Sequence, residues 1–325
     1  MEILNYETFY KSDLLVEQHF HGVFGVDFSV CQTDDILKLA RKLLSHGIGG
    51  FFPTLVTDKI ENIKRQIEVI KDAKSKQTED MAEILGIHIE GIFINPDKKG
   101  IHNPEWFLKP TVDNFKLIED DLIKIVTLAP ELDENYELQK YLKTKGIKVQ
   151  AGHCTGCDLS QCDGATHLFN AMKGISHRDS STALSALIED KIYTEIIADG
   201  IHLSDDIVEL VLKTKPDNKV ILVSDSLPIA KSDKKEADFA GEKIFYDGKK
   251  ATSKEGTIAG STAILDEIVT LLSNKNPNNF EKYVGMASKN VCEYHDIKLN
   301  GCIYWDENFE IVAVEKDSIA LYKNI

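Results

Sequence analysis

The chain has 325 residues, 42% of them hydrophobic, enough for two ordinary domains or one large α/β domain with appendages. Its net charge of −15 would repel a phosphate backbone and excludes nucleic acid or an anionic membrane surface as the expected partner. No secretion signal and no run of about eighteen apolar residues occurs, so the expectation is a soluble cytoplasmic protein, and six dispersed or crowded cysteines do not form a disulfide framework.

In chain order, the nearly continuous apolar segments are LLVEQHFHG, GIGGFFPTLV, EILGIHIEG, IKIVTLAP, IKVQAGHC, GATHLFNA, YTEIIADGIH and VILVSDS. Amphipathic stretches at 34–46, 59–74, 112–119, 136–145, 181–189 and 204–213 lie between most of them. Strands buried on both faces and alternating with helices predict a parallel sheet, and eight such repeats favour closure into a (β/α)8 TIM-like barrel over an open sheet. The polar, glycine-punctuated segment 231–255 reads as a hairpin insertion after the eighth strand, followed by helices near 261–273 and 279–288 and a three-stranded tail. The expected division is a barrel over 15–290 and a reduced β-rich domain made from 1–14 and 291–325.

Several of these apolar strands end in polar groups: His19 and His21, Glu90, His153, His167, Asp199 with His202, and Asp225. Barrel strands present their C-terminal ends to the active site, so these groups are expected to converge. Residues two apart on a strand share a face, which lets His19 and His21 reach one metal ion while Phe20 points into the outer layer. Histidines with a carboxylate and open positions describe a catalytic metal site that activates water at neutral pH. Asp225 is then the natural general base. A competing reading comes from Cys154, Cys157 and Cys162, spaced as in a zinc, iron–sulfur or dithiol site, although a fourth thiolate at suitable spacing is missing.

Five stretches in order, GIHIEGIFINPDKKGIHNP, GATHLFNAM, EIIADGIHLSDD, ILVSDS and GTIAGS, resemble the N-acetylglucosamine-6-phosphate deacetylases of the amidohydrolase superfamily. The resemblance spans about 18–261. It implies a metal-dependent barrel that removes acetate from a small amino-sugar phosphate, with one or two divalent metal ions, zinc or iron, and a homodimeric assembly. By motif, Glu90, His153 and His167 match metal ligands shared across the family, and His19 with His21 match those of members with a second metal, which Glu90 would bridge. His102 matches the histidine that orients and polarises the substrate carbonyl, and Asp225 the catalytic aspartate that protonates the leaving amine.

Asn170, Ala171, His202 and Arg178 match positions that hold the sugar and its phosphate. Arg178 is one of only three arginines in the chain, and a planar guanidinium offers phosphate a bidentate partner. The sequence departs from the family pattern in five respects: histidines already at residue 19, a short interval from His153 to His167, EGIF for Glu-Gly-Pro-Phe, RDSS for Arg-Glu-Pro-Gly, and SDS for Thr-Asp-Ala. These departures leave open another N-acetyl sugar phosphate, such as the galactosamine epimer, and, from other classes, a non-catalytic sugar-phosphate sensor or a cysteine-centred redox protein.

Overall fold

The computed structural model describes residues 9–317 and 319–322. All eight predicted strands form: β1 (Leu15–Phe20), β2 (Ile48–Leu55), β3 (Ile87–Glu90), β4 (Ile123–Leu128), β5 (Lys148–Ala151), β6 (Gly164–Ala165), β7 (Tyr193–Ile196) and β8 (Val220–Leu222). Each pairs in parallel with its neighbour in chain order. The ring closes where β1 meets the chain beyond β8: the Asp225 N–H donates to His19 O and the His21 N–H to Ser226 O, both at 2.9 Å. The closing hydrogen bonds are therefore made by the backbone of residues whose side chains were expected to carry the chemistry.

Helices α1 (Thr33–Ser45), α2 (Ile60–Ser75), α3 (Glu137–Thr144), α4 (Thr182–Ile188) and α5 (Asp205–Thr214) cover the outer face. In α1 the buried positions Ile36, Leu39, Ala40, Leu43 and Leu44 form one apolar stripe, and Asp35 turns back to accept the Gln32 N–H at its start. The expected helix at 112–119 shrinks to one turn, Val112–Phe115. Between β5 and β6 no helix forms; the short loop instead buries Cys154, Leu159 and Cys162 where a helix would pack. After the insertion come α6 (Leu265–Lys275), α7 (Phe280–Ala287) and α8 (Lys289–His295).

Two appendages differ from expectation. The insertion is a four-stranded antiparallel sheet, Glu236–Phe239, Glu242–Tyr246, Ala251–Ser253 and Ile258–Gly260, rather than a lone hairpin. Its polar residues face outward, while Phe239, Ala240, Ile244 and Ala251 form a separate apolar cluster with Val56, Ile101, Leu227 and Ile229. The three-stranded tail gains Tyr10–Asp13 as a fourth strand against Gly301–Trp305, so both chain ends contribute to one small sheet. Trp305 is its buried anchor, its Nε1–H donating to Ser12 Oγ at 2.9 Å. Residues 1–8, 318 and 323–325 of the expected terminal domain lie outside the described residues.

Phe20, on the outer face of β1 as its alternation predicts, packs against Phe28 and Phe51 at ring-centroid distances of 4.9 and 5.8 Å. Phe20→Ala leaves a cavity directly behind the two histidines and is expected to destabilise the fold by about 3–5 kcal/mol. Denaturant titration checks this.

Candidate active site

The chain leaves β3 at Glu90 through Gly91, whose φ of 120° places it in a conformation that glycine alone adopts freely. A Cβ there would lie 2.1 Å from Thr57 Oγ1. His153, His167, Ala171 and Asp225, at or just past the ends of β5, β6 and β8, also hold positive φ, at 49°, 27°, 47° and 49°. Such residues each cost on the order of 1–3 kcal/mol and persist where packing enforces them. Here they turn the backbone at the barrel mouth so that side chains converge on one cavity of about 520 Å³.

That cavity is lined by His21, Glu90, His102, His153, His167, Asn170, Ala171, His202 and Asp225, with His19 buried directly beneath. Glu90 lies at the centre. Its Oε2 is 3.3 Å from His19 Nε2 and 3.0 Å from His21 Nε2, and its Oε1 is 2.8 Å from His167 Nε2 and 3.3 Å from His153 Nε2. Asp225 Oδ1 stands 3.1 Å from His21 Nε2, completing one lobe of the cluster. The rings of His19 and His21 thus both address one oxygen of Glu90.

The far nitrogens of three of the four rings are held, whereas His167 Nδ1 is buried with no hydrogen-bond partner. His19 Nδ1 meets Glu195 Oε2 at 2.9 Å, His21 Nδ1 the Thr54 carbonyl at 3.2 Å, and His153 Nδ1 the Lys98 carbonyl at 2.8 Å. A proton fixed on each Nδ1 leaves an Nε2 lone pair aimed at Glu90. His19 Nε2 is buried without a hydrogen bond, and the Nε2 atoms of His153 and His167 face each other at 3.2 Å. Lone pairs directed together around buried carboxylates are a donor set for a cation, and either lobe of Glu90 fits a divalent metal ion. With protons alone in that role, burial would depress His21, yet Asp225 and Glu90 draw its imidazole up to about 9. Burial likewise pushes the Glu90 carboxyl up, but His19, followed by His153 and His167, holds it well below the usual range.

His102 lies across the cavity with its Nδ1 2.8 Å from Thr57 Oγ1. Thr57 Oγ1 also accepts the Ile92 N–H at 2.9 Å, so one hydroxyl ties the His102 ring to the chain leaving β3. Burial, and then the neighbouring His153, keep this imidazole neutral by lowering its pKa well below normal. His202 is oriented by Asp199, whose two oxygens take its Nδ1 and its backbone N–H, both at 2.9 Å.

No family model matches the chain. It is similar to the N-acetylglucosamine-6-phosphate deacetylase of Bacillus subtilis, 32% identical over 316 residues that cover 93% of this chain and 80% of that one. The chain belongs to the N-acetylglucosamine-6-phosphate deacetylase family. The N-acetylgalactosamine-6-phosphate deacetylase of Escherichia coli O157:H7 is 26% identical over 264 residues, 78% of this chain and 70% of that one. Among solved structures, the N-acetylglucosamine-6-phosphate deacetylase of Thermotoga maritima superposes with a TM-score of 0.86 at 25% identity, covering 97% of this chain and 89% of that one.

Against the motifs of this deacetylase family, one expected residue stands apart: Arg178 is exposed and does not line the cavity, whose own lysines are Lys98 and Lys99. The insertion supplies Phe239 to the cavity wall, and the GTIAGS stretch that follows it supplies 257–260. Glu195 and Glu17, both buried, were not singled out from the sequence, although a carboxylate inside an apolar strand is the same signal that marked Glu90. Glu17 accepts the His19 and Ser224 N–H groups from below the site, and burial raises its pKa to about 8. The three crowded cysteines do not act together: Cys154 and Cys162 are buried, Cys157 is exposed, and no cysteine joins a metal-holding group among the described residues. Burial raises the Cys154 thiol to about 12.

Thr57→Val keeps the shape but removes the hydroxyl that holds His102. Deacetylase turnover is expected to fall on the order of ten- to a hundredfold with little change in KM, as steady-state kinetics would show.

Proposed function

We propose that this protein hydrolyses N-acetylglucosamine 6-phosphate to glucosamine 6-phosphate and acetate, as a cytoplasmic homodimer of amino-sugar catabolism using one or two divalent metal ions, zinc or iron. The observation that carries the reading is the division of Glu90, with one oxygen facing His19 and His21 and the other facing His153 and His167, opposite Asp225 in a cavity large enough for a sugar phosphate. The catalytic unit is the barrel over 15–290, with 1–14 and 291–325 as its brace.

When bound, the metal supplies a polarised water and Lewis acidity at the acetamide carbonyl. The chain's residues supply the rest. Asp225, its carboxylate within reach of His21, takes a proton from the attacking water and passes it to the leaving amine nitrogen. The His102 Nε2–H donates to the carbonyl oxygen as negative charge develops there. Asn170, Ala171 and His202 hold the sugar along the opposite wall. Burial pushes the Asp225 carboxyl up, but its hydrogen bond with His21 and the field of His19 bring it below its usual value, so it enters the reaction as the base. For the phosphate, Lys98 and Lys99 are the cavity's cations, and Arg178, seven residues past Ala171, is a further contact proposed from the family motif alone.

A second reading, deacetylation of the galactosamine epimer, is favoured by the similarity to the Escherichia coli enzyme and by the departures in the sugar-binding motifs. Acetate release by metal-loaded protein is expected to be faster with the glucosamine epimer. Preference for the galactosamine epimer installs the second reading, and inactivity on both sinks each of them.

Asp225→Asn is expected to lower kcat by roughly 10²- to 10⁴-fold while the protein still binds metal. Undiminished turnover by that variant would remove Asp225 from the mechanism. Dialysis against a chelator is expected to abolish acetate release, and readdition of zinc or ferrous ion to restore it; activity that survives with no metal detectable by elemental analysis overturns the metal requirement.

A further inference from the structure

Glu195 sits on β7, 1% exposed, between the buried Thr194 and Ile196. A carboxylate there is costly unless every oxygen is engaged. Both are. Oε2 lies 2.9 Å from His19 Nδ1 and accepts the backbone N–H of His167 at 3.3 Å, and Oε1 accepts Gln18 Nε2–H at 2.5 Å. Gln18 in turn presents its own Oε1 to His295 Nε2 at 3.1 Å, on the helix that closes the far end of the barrel.

One carboxylate therefore touches the side chain of a ligand on β1 and the backbone of a ligand just past β6. The other rings with a held Nδ1 lean on peptide carbonyls: His21 on Thr54 and His153 on Lys98. Only His19, among the described residues of the cluster, is held by an ionised group. The difference has a chemical consequence. A carboxylate fixes the Nδ1–H tautomer more strongly than a carbonyl and makes the opposite nitrogen a stronger donor. That opposite nitrogen, His19 Nε2, is buried with no hydrogen bond, as is His167 Nδ1, and it is aimed at Glu90 Oε2 and Asp225.

We propose that Glu195 is the positioning residue that makes the His19–His21 lobe competent to hold its own metal ion, so that two-metal occupancy of this barrel depends on a carboxylate from β7 that touches neither metal nor substrate. The inference rests on the metal-centre reading above. His153 and His167 keep their contacts with Glu90 Oε1 without the Glu195 side chain acting on either ring, so the two lobes should respond differently to its loss.

The test is zinc binding by the full chain, measured as stoichiometry by elemental analysis and as affinity by competition with a chromophoric chelator. Wild type is expected to take up two equivalents. Glu195→Gln is expected to weaken one of them by about 10- to 100-fold and leave the other within about twofold. In a His19→Gln background, Glu195→Gln should cause no further loss, because its partner ring is already gone. This cycle separates positioning from packing: a carboxylate needed only for fold stability would weaken both equivalents and would do so equally with or without His19. Identical titration of wild type and Glu195→Gln overturns the inference and leaves the proposed function standing, as does a wild type that binds a single equivalent unaffected by the substitution. A wild type that binds no zinc and no ferrous ion overturns both.

Discussion

Two carboxylates, Glu90 and Asp225, are buried at the mouth of an apolar barrel, and keeping them there is the constraint on which the rest of the structure depends. An unpaired buried carboxylate is unaffordable at the scale of a protein's net stability. The fold answers by bringing four imidazoles from three places in the chain, His19 and His21 at β1, His153 past β5 and His167 past β6, into contact with them. The same residues close the ring through the backbone bonds of His19 with Asp225 and of His21 with Ser226, so site assembly and barrel closure are one event. Positive φ at His153, His167 and Asp225 records the local cost of that convergence.

Below this cluster the barrel interior is polar where a smaller barrel would be filled with valine and leucine. His88 meets Thr127 Oγ1 at 2.8 Å, Thr127 meets Thr166, and Thr166 donates to Gln150, with Gln18 and Glu195 on the neighbouring side. Burial, and then the charge of His19, hold His88 at about 3, so it stays a neutral hydrogen-bonding strut and not another ligand. Fully satisfied networks of this kind rigidify what they support. The rings of His19, His21 and His153 accordingly rest on a floor of hydrogen bonds and face Glu90.

The eight strands were legible because each is buried on both faces and therefore nearly continuously apolar, and most helices because each shows one apolar stripe. His19, His21, Glu90, His153, His167 and Asp225 were legible because a polar group at the end of such a strand has no packing reason to be there. The same logic extended to Glu17 and Glu195 would have exposed the supporting carboxylates, but these lie mid-strand, where a single polar residue carries no sign of which neighbour it serves. The insertion misled because its outward residues dominate its composition, while the inward Phe239, Ile244 and Ala251, of which Phe239 reaches the cavity wall, are too few to set the pattern.

By itself the sequence determined the repeat, the ligand types and their placement at strand ends, since these follow from local periodicity and from the chemistry of each side chain. Only the tertiary structure decided how they divide: which imidazoles face which oxygen of Glu90, that Thr57 orients His102, that Glu195 reaches His19 across 176 residues of chain, and that Arg178 stays outside the cavity. Those are distances between strands, and a distance across a barrel is set by closure, register and twist, which no local pattern encodes.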